Sequence, residues 1–259
     1  MSKQAKNVQA QVNHLAGKIA FIQGGSRGIG AAIAKRLARD GATVALTYAS
    51  SADKAQEVVK EIEAAGGRAI AIKADSADAT QVKAAVQLAA DTYGKIDILV
   101  NNAGVLALGN VAEAEFSLED IDRTLAVNVR SVIVASQAVV KHMDEGGRII
   151  TIGSTNAERM PFQGGSVYAM SKAAIVGLTK GLARDLGPLG ITVNNIQPGP
   201  IDTEMNPDSG DFAQTLKGLM ALPRYGKVEE VASLAAYLAG PEAAYITGAS
   251  LLIDGGFSA

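Results

Sequence analysis

Apolar residues in this chain come in short uninterrupted runs, separated by glycine-marked turns and by longer stretches in which they recur every three or four positions. Lys18 to Gln23 (KIAFIQ) reads as a short strand, and from Gly28 the segment GIGAAIAKRLARDGA reads as a helix closed by Gly41. The alternation repeats. TVALTY (43–48) precedes a predicted helix over about 52–65, RAIAIKA (68–74) one over about 78–92, and IDILVNN (96–102) one over about 117–142. RIITIGS (148–154) leads to a helix over about 166–187, and ITVNNIQ (191–197) to a loop-rich stretch, a helix over about 228–239 and a last strand, ASLLID (249–254). AFI, ILV and IIT are continuous apolar runs, so helices should cover both faces of a parallel sheet. The prediction is one doubly wound α/β domain of about seven parallel strands over 15–259, preceded by a polar arm over 1–14. Pro198, Pro200, Pro207, Gly210 and Pro223 punctuate the longest stretch outside this rhythm. That stretch reads as a substrate lid at about 200–222, with Met205, Phe212, Leu216, Leu219 and Met220 as its apolar contacts. A permanently packed amphipathic surface helix is the alternative.

Composition narrows the chemistry. Hydrophobic residues make up 48% of the chain and charged ones 19%, ample material for a single large core. The 24 basic and 26 acidic side chains are interspersed and leave a net charge of −2, which recruits neither nucleic acid nor an anionic membrane. Without cysteine there is no disulfide, thiolate nucleophile or Cys-ligated metal, and His14 and His142 are far apart; no metal site is expected. MSKQAKNVQAQVNHLAG has no apolar core of signal-peptide length, and no later stretch approaches a membrane span, so the cytoplasm is the expected compartment.

Four features carry candidate chemistry. After the first strand comes Gly24-Gly25-Ser26-Arg27-Gly28-Ile29-Gly30, opening a helix. Such a turn brings backbone amides and the positive end of a helix against a pyrophosphate, in the setting of a Rossmann-type fold. Tyr168 and Lys172 are four residues apart on a predicted helix and share one face. A phenol with a reference pKa of about 10 exchanges protons poorly near neutrality, and an adjacent ammonium should move it toward useful pH. Ser154 ends the preceding strand, where ligands gather in an open α/β sheet. Asn128, in LAVNV (125–129), sits in an otherwise apolar helix, as a core amide or a working one.

The spacing G-x3-G-x-G, the Asn101-Asn102-Ala103-Gly104 run, Ser154, Tyr168-Ala-Met-Ser-Lys172, Asn194-Asn-Ile-Gln-Pro-Gly199 and Tyr245-Ile-Thr-Gly-Ala together resemble the short-chain dehydrogenase/reductase family, over about 15–259. The likeness is greatest to bacterial 3-oxoacyl-carrier-protein reductases and related carbonyl reductases. It implies an NADP(H)-dependent enzyme that moves hydride to or from a ketone or aldehyde carbonyl. Tyr168 would be general acid for reduction and general base for oxidation, and Ser154 would polarise the carbonyl, with Thr155 competing for that role. Asn128 would join a water relay reaching Lys172. Asn102, Ala103 and Gly104, Asp75-Ser76 and Pro198, Gly199, Ile201 and Thr203 match the family's cofactor-contacting segments, the last four around the nicotinamide. Gln23 stands where the family usually has Thr, and it too can hydrogen-bond the turn.

The second strand ends in Thr47-Tyr48-Ala49-Ser50-Ser51, with no acid before Asp53. An NAD site would place a carboxylate there; its absence, with Arg27 in the turn and Lys54 nearby, points to a 2′-phosphate and hence NADPH. For the substrate, Arg184 matches one of two arginines that carrier-protein reductases present to an acyl carrier protein, but Val134 fills the other position. A free ketone or aldehyde therefore stands beside the acyl carrier protein. Ala173, Gly177 and Gly181 form a stripe of small residues that faces the sheet or a symmetry mate. The resemblance implies a homotetramer. A reading of a different class is a regulator on the same scaffold: Glu158-Arg-Met-Pro161 and Gln197-Pro-Gly-Pro-Ile-Asp-Thr203 resemble a branch of the family linked to cyclic di-GMP sequestration.

Overall fold

The computed structural model describes residues 13–114 and 116–259; most of the arm expected over 1–14 lies outside them. Seven strands, β1 (Ile19–Gln23), β2 (Thr43–Tyr48), β3 (Arg68–Lys73), β4 (Ile98–Asn101), β5 (Arg148–Ile152), β6 (Thr192–Pro198) and β7 (Ser250–Ile253), pair in parallel in the order β3-β2-β1-β4-β5-β6-β7. The single doubly wound α/β domain predicted from the apolar runs is present, each strand within two residues of its expected bounds.

The continuous runs are explained by where alternate side chains go. Ala20 and Ile22, Ile98 and Val100, and Ile150 and Ile152 pack into one cluster with α1 (Gly28–Arg39), α2 (Ala52–Ala64) and α8 (Val228–Ala239). Phe21, Leu99 and Ile149, between them in sequence, pack into the other with α3 (Ala79–Tyr93), α5 (Ser131–Val140) and α6 (Ser166–Leu186). A strand clad on both faces has no polar side to alternate with.

Where β1 lies between β2 and β4 the chain switches direction of winding, and the crevice outside the strand ends there is the expected ligand position. One departure from the sequence reading bears on it. The helix expected over 117–142 is interrupted: α4 (Leu118–Leu125), started by a Ser117–Asp120 capping box, passes into a π-helical turn, Ala126–Arg130, before α5. Asn128 is the middle residue of that turn. In the expected lid, α7 (Gly210–Lys217) buries Ala213 and Leu216 in a small cluster with Met220, Tyr225 and Phe257.

Candidate active site

The floor of the crevice is the turn between β1 and α1. Gly24 has φ +71°, and a Cβ there would lie 2.9 Å from the Ala103 Cα, so only glycine lets the β1 and β4 ends approach. Gly30 does not line the cavity as the sequence reading has it: its Cβ would stand 2.2 Å from the Gly24 carbonyl oxygen and 2.4 Å from Asn102 Nδ2. Its contribution is close packing of α1 onto the turn. The Asn102 amide donates to the Gly24 carbonyl at 2.7 Å and fastens the Asn-Ala-Gly segment to the same turn. Gln23 does not hydrogen-bond the turn as expected. Its side chain is buried with neither amide atom bonded to a described group, and Thr47 of β2 accepts from the Gly24 N–H at 3.0 Å instead. Helix α1 begins at Gly28 with no side-chain cap and no acid in its first turn, so its amides and dipole remain available to an anion.

The second wall holds Ser154, Tyr168 and Lys172. Ser154 follows β5 and starts a short 3-10 turn, its oxygen accepting from the Asn156 N–H at 3.1 Å. Tyr168 and Lys172 lie on one face of α6, with Nζ 5.8 Å from the tyrosine ring centroid. Lys172 Nζ donates to the Ile152 carbonyl at 3.0 Å. Burial works on both groups. It pushes Tyr168 above the ordinary phenol value, opposed by a hydrogen bond with Ser154, and lowers Lys172 to about 8. The expected depression of the phenol by Lys172 is thus not what the protein alone shows: loss of water raises Tyr168, and the hydrogen bond with Ser154 is what opposes it. Asn128 is buried outside the cavity lining: its oxygen accepts from the Val105 N–H at 2.9 Å, and its amide donates to the Val105 carbonyl and to Ser171 Oγ, both at 3.0 Å. A Cβ on Gly104 would sit 3.6 Å from both Asn128 Oδ1 and Lys172 Nζ, so the two groups flank that glycine.

Between these walls runs a cavity of ≈ 430 Å³. One end is lined by Gly24, Ser26, Arg27, Gly28 and Ile29, by Tyr48, Ala49, Ser50 and Ser51, and by Asp75 and Ser76. Its middle is lined by Asn102, Ala103 and Gly104 with Ser154, Tyr168 and Lys172, and by Pro198, Gly199, Ile201 and Thr203. The far end is apolar, with Leu106, Phe162, Met205, Phe212 and Leu216. Phe162 and Phe212 meet edge to face at 5.4 Å. Leu219 and Met220, expected among the apolar contacts, do not line the cavity and instead belong to the small cluster beneath α7.

Sequence reasoning missed Asp254. Its carboxylate accepts from Thr155 Oγ1 at 2.9 Å, from the Ser258 hydroxyl, and from the Gly256 and Ser258 amides at 3.0 Å each. Burial alone would raise its pKa, but these donors hold it below the usual carboxylate value. The network ties the chain end, and with it Phe257 in the cavity wall, to the loop after Ser154. It also occupies Thr155, which leaves Ser154 as the hydroxyl beside Tyr168.

A family model described as enoyl-(acyl carrier protein) reductase matches residues 24–258. A short-chain dehydrogenase/reductase from Serratia marcescens BCRC 10948 is 67% identical, with a TM-score of 0.93 over 95% of this chain and 99% of that one. The chain belongs to the short-chain dehydrogenase/reductase family. Another short-chain dehydrogenase, from Burkholderia cenocepacia J2315, solved in complex with NADP, is 57% identical with a TM-score of 0.93, over 95% of this chain and all (100%) of that one. The cyclic-di-GMP-binding biofilm dispersal mediator protein of Escherichia coli K12 is 48% identical over 94% of this chain and 98% of its own. Among the described residues no helix is long and apolar enough to cross a membrane.

Proposed function

We propose that this protein is an NADPH-dependent carbonyl reductase, reversible to alcohol oxidation, with a ketone or aldehyde as substrate. The observation that carries the reading is the meeting of Ser154, Tyr168 and Lys172 in the wall of one cavity with the glycine turn and the acid-free end of β2. The donor set fits a dinucleotide: uncapped amides at the start of α1 for the pyrophosphate, Asp75 and Ser76 toward the adenine, Arg27 with Ser50 and Ser51 for a 2′-phosphate, and Ile201 and Thr203 toward the nicotinamide. Bound cofactor supplies the hydride to the carbonyl carbon. Ser154 donates a hydrogen bond to the carbonyl oxygen as negative charge develops there. Tyr168, its phenol kept protonated at neutral pH by burial, delivers the proton that completes the alcohol. Lys172 supports the phenolate left behind, and Asn128 positions the segment at Val105 and the helix at Ser171 around it.

The apolar far end suits a hydrophobic carbonyl compound. Arg184 is exposed, but Val134, where a second carrier-binding arginine would stand, is half-buried against a core cluster, which favours a free carbonyl over an acyl carrier protein. We also place the enzyme in the cytoplasm as a homotetramer. The deciding experiment is fluorescence titration with NADPH followed by turnover on a panel of hydrophobic ketones and aldehydes; absence of NADPH binding would overturn the reading. A regulatory role through cyclic di-GMP is favoured by the Escherichia coli relative's name and by contact between the two segments at issue, where Gln197 Nε2 donates to Glu158 Oε1 at 3.2 Å. Cyclic di-GMP titration, alone and in competition with NADPH, separates a second ligand from the first.

A further inference from the structure

Glu204 lies on the loop after β6, at the tip of a tight turn closed by paired backbone hydrogen bonds between Thr203 and Asn206 at 3.1 and 3.3 Å. From there its carboxylate reaches across the mouth of the cavity to two cations that belong to other parts of the fold. Arg27 of the glycine turn is 3.4 Å away, and Lys54 of α2 forms a close ion pair with its other oxygen. The hydrogen bond from Lys54, reinforced by both positive charges, holds the Glu204 carboxyl below the ordinary glutamate value, so it is anionic at neutral pH. These are the cations that the missing acid at the end of β2 points to as receivers of a 2′-phosphate.

We infer that Glu204 is a specificity-determining residue for the cofactor: a resident carboxylate in the 2′-phosphate position, which the phosphate of NADPH must displace and which NADH leaves in place. The inference rests on the proposed NADPH reading. It follows from competition for the same donors. Two anions cannot share Arg27 and Lys54 without repulsion, and a phosphate monoester, with more charge and three acceptor oxygens, wins against one exposed carboxylate. Exposed ion pairs are individually weak, so the contact is easily opened by the right ligand and lowers NADPH affinity only moderately. Because Glu204 shares its turn with Thr203 and Met205, which line the middle and apolar end of the cavity, release at the adenosine end frees the segment that faces substrate.

Calorimetric titration of the protein and its Glu204→Gln variant with NADPH, NADH and 2′,5′-ADP tests this. Glutamine keeps the size and removes the charge at an exposed position, so the fold should be unaffected. NADPH and 2′,5′-ADP are expected to bind the variant roughly three- to tenfold more tightly, the range two exposed ion pairs would set, while NADH changes by less than about twofold. In a Lys54→Gln background the gain should shrink, since one of the contested cations is gone. Unchanged or weaker NADPH binding, or an equal gain for NADH, would overturn the role of Glu204 while leaving the reductase reading intact. Failure of the unmodified protein to bind NADPH would instead remove that reading and this inference with it.

Discussion

Lys172 shows how the site spends stability on chemistry. An amine lowered from 10.5 to about 8 by burial carries a cost of about 3 kcal/mol when charged, at roughly 1.4 kcal/mol per pKa unit. The unfolded chain keeps its proton up to about 10.5 and the folded one only to about 8, so this cost is complete below pH 8 and fades as pH rises between the two values. Lys172→Met should therefore stabilise the cofactor-free protein at pH 7, after allowing about 1 kcal/mol for the lost bond to Ile152, by roughly 1–2 kcal/mol. Thermal unfolding should show a midpoint about 2–6 °C higher; a lower one would mean that the amine contributes more than it costs. Reduction leaves a phenolate that the Lys172 cation supports, so kcat/KM for reduction should be level below about pH 8 and fall above it as Nζ loses its proton, while Tyr168, raised by burial, stays protonated through that range. Tyr168→Phe removes the proton donor and should slow turnover by about 10²–10⁴-fold, with NADPH affinity within a few-fold of the original. Single-turnover reduction that keeps more than about a tenth of the original rate would rule out Tyr168 as the acid.

At the scale of elements, the interrupted helix α4–α5 is instructive. Leu118–Val140 is apolar and helical enough to read as continuous, and no glycine or proline marks the break. The π-helical turn sets Asn128 against both backbone groups of Val105 on another segment, a contact that local periodicity does not report. Asn128→Ala would leave that half-buried N–H and C=O without the side chain and should cost about 1–2 kcal/mol in denaturant unfolding, with activity lost through displacement of the Val105 segment. Near-original stability would show that the turn holds by itself. For the lid, Ala213 and Leu216 anchor α7, while Met205 and Phe212 remain about half exposed over the cavity. Hydrogen exchange across 202–222 should slow when NADPH and a substrate analogue bind. High protection in the free protein that binding leaves unchanged would make α7 a fixed wall.

Over the whole molecule, Ala173, Gly177 and Gly181 are exposed on α6, and a Cβ at either glycine would meet nothing within 4 Å. The stripe therefore does not pack on the sheet, one of its two sequence-based readings, and stays open to a second copy of the chain. Light scattering should show a tetramer for the unmodified protein and smaller species for Gly181→Glu; a tetramer in both would place the interface elsewhere. The strand and helix order, the two-faced sheet and the glycine, Ser154 and Tyr168-Lys172 motifs were legible in the sequence because each depends on neighbours within a few residues: apolar periodicity, turn-forming glycines, one helix face. From these the topology followed, since parallel strands clad by helices leave few ways to wind. What only the tertiary structure decided lies between distant residues: Thr47 in the place expected of Gln23, Gly30 packing on Gly24, Asp254 holding the loop after Ser154, and Glu204 reaching 177 residues back to Arg27. Such contacts are chosen by the shape and charge that folding brings together, and a residue's own stretch of chain carries no mark of the partner it will meet.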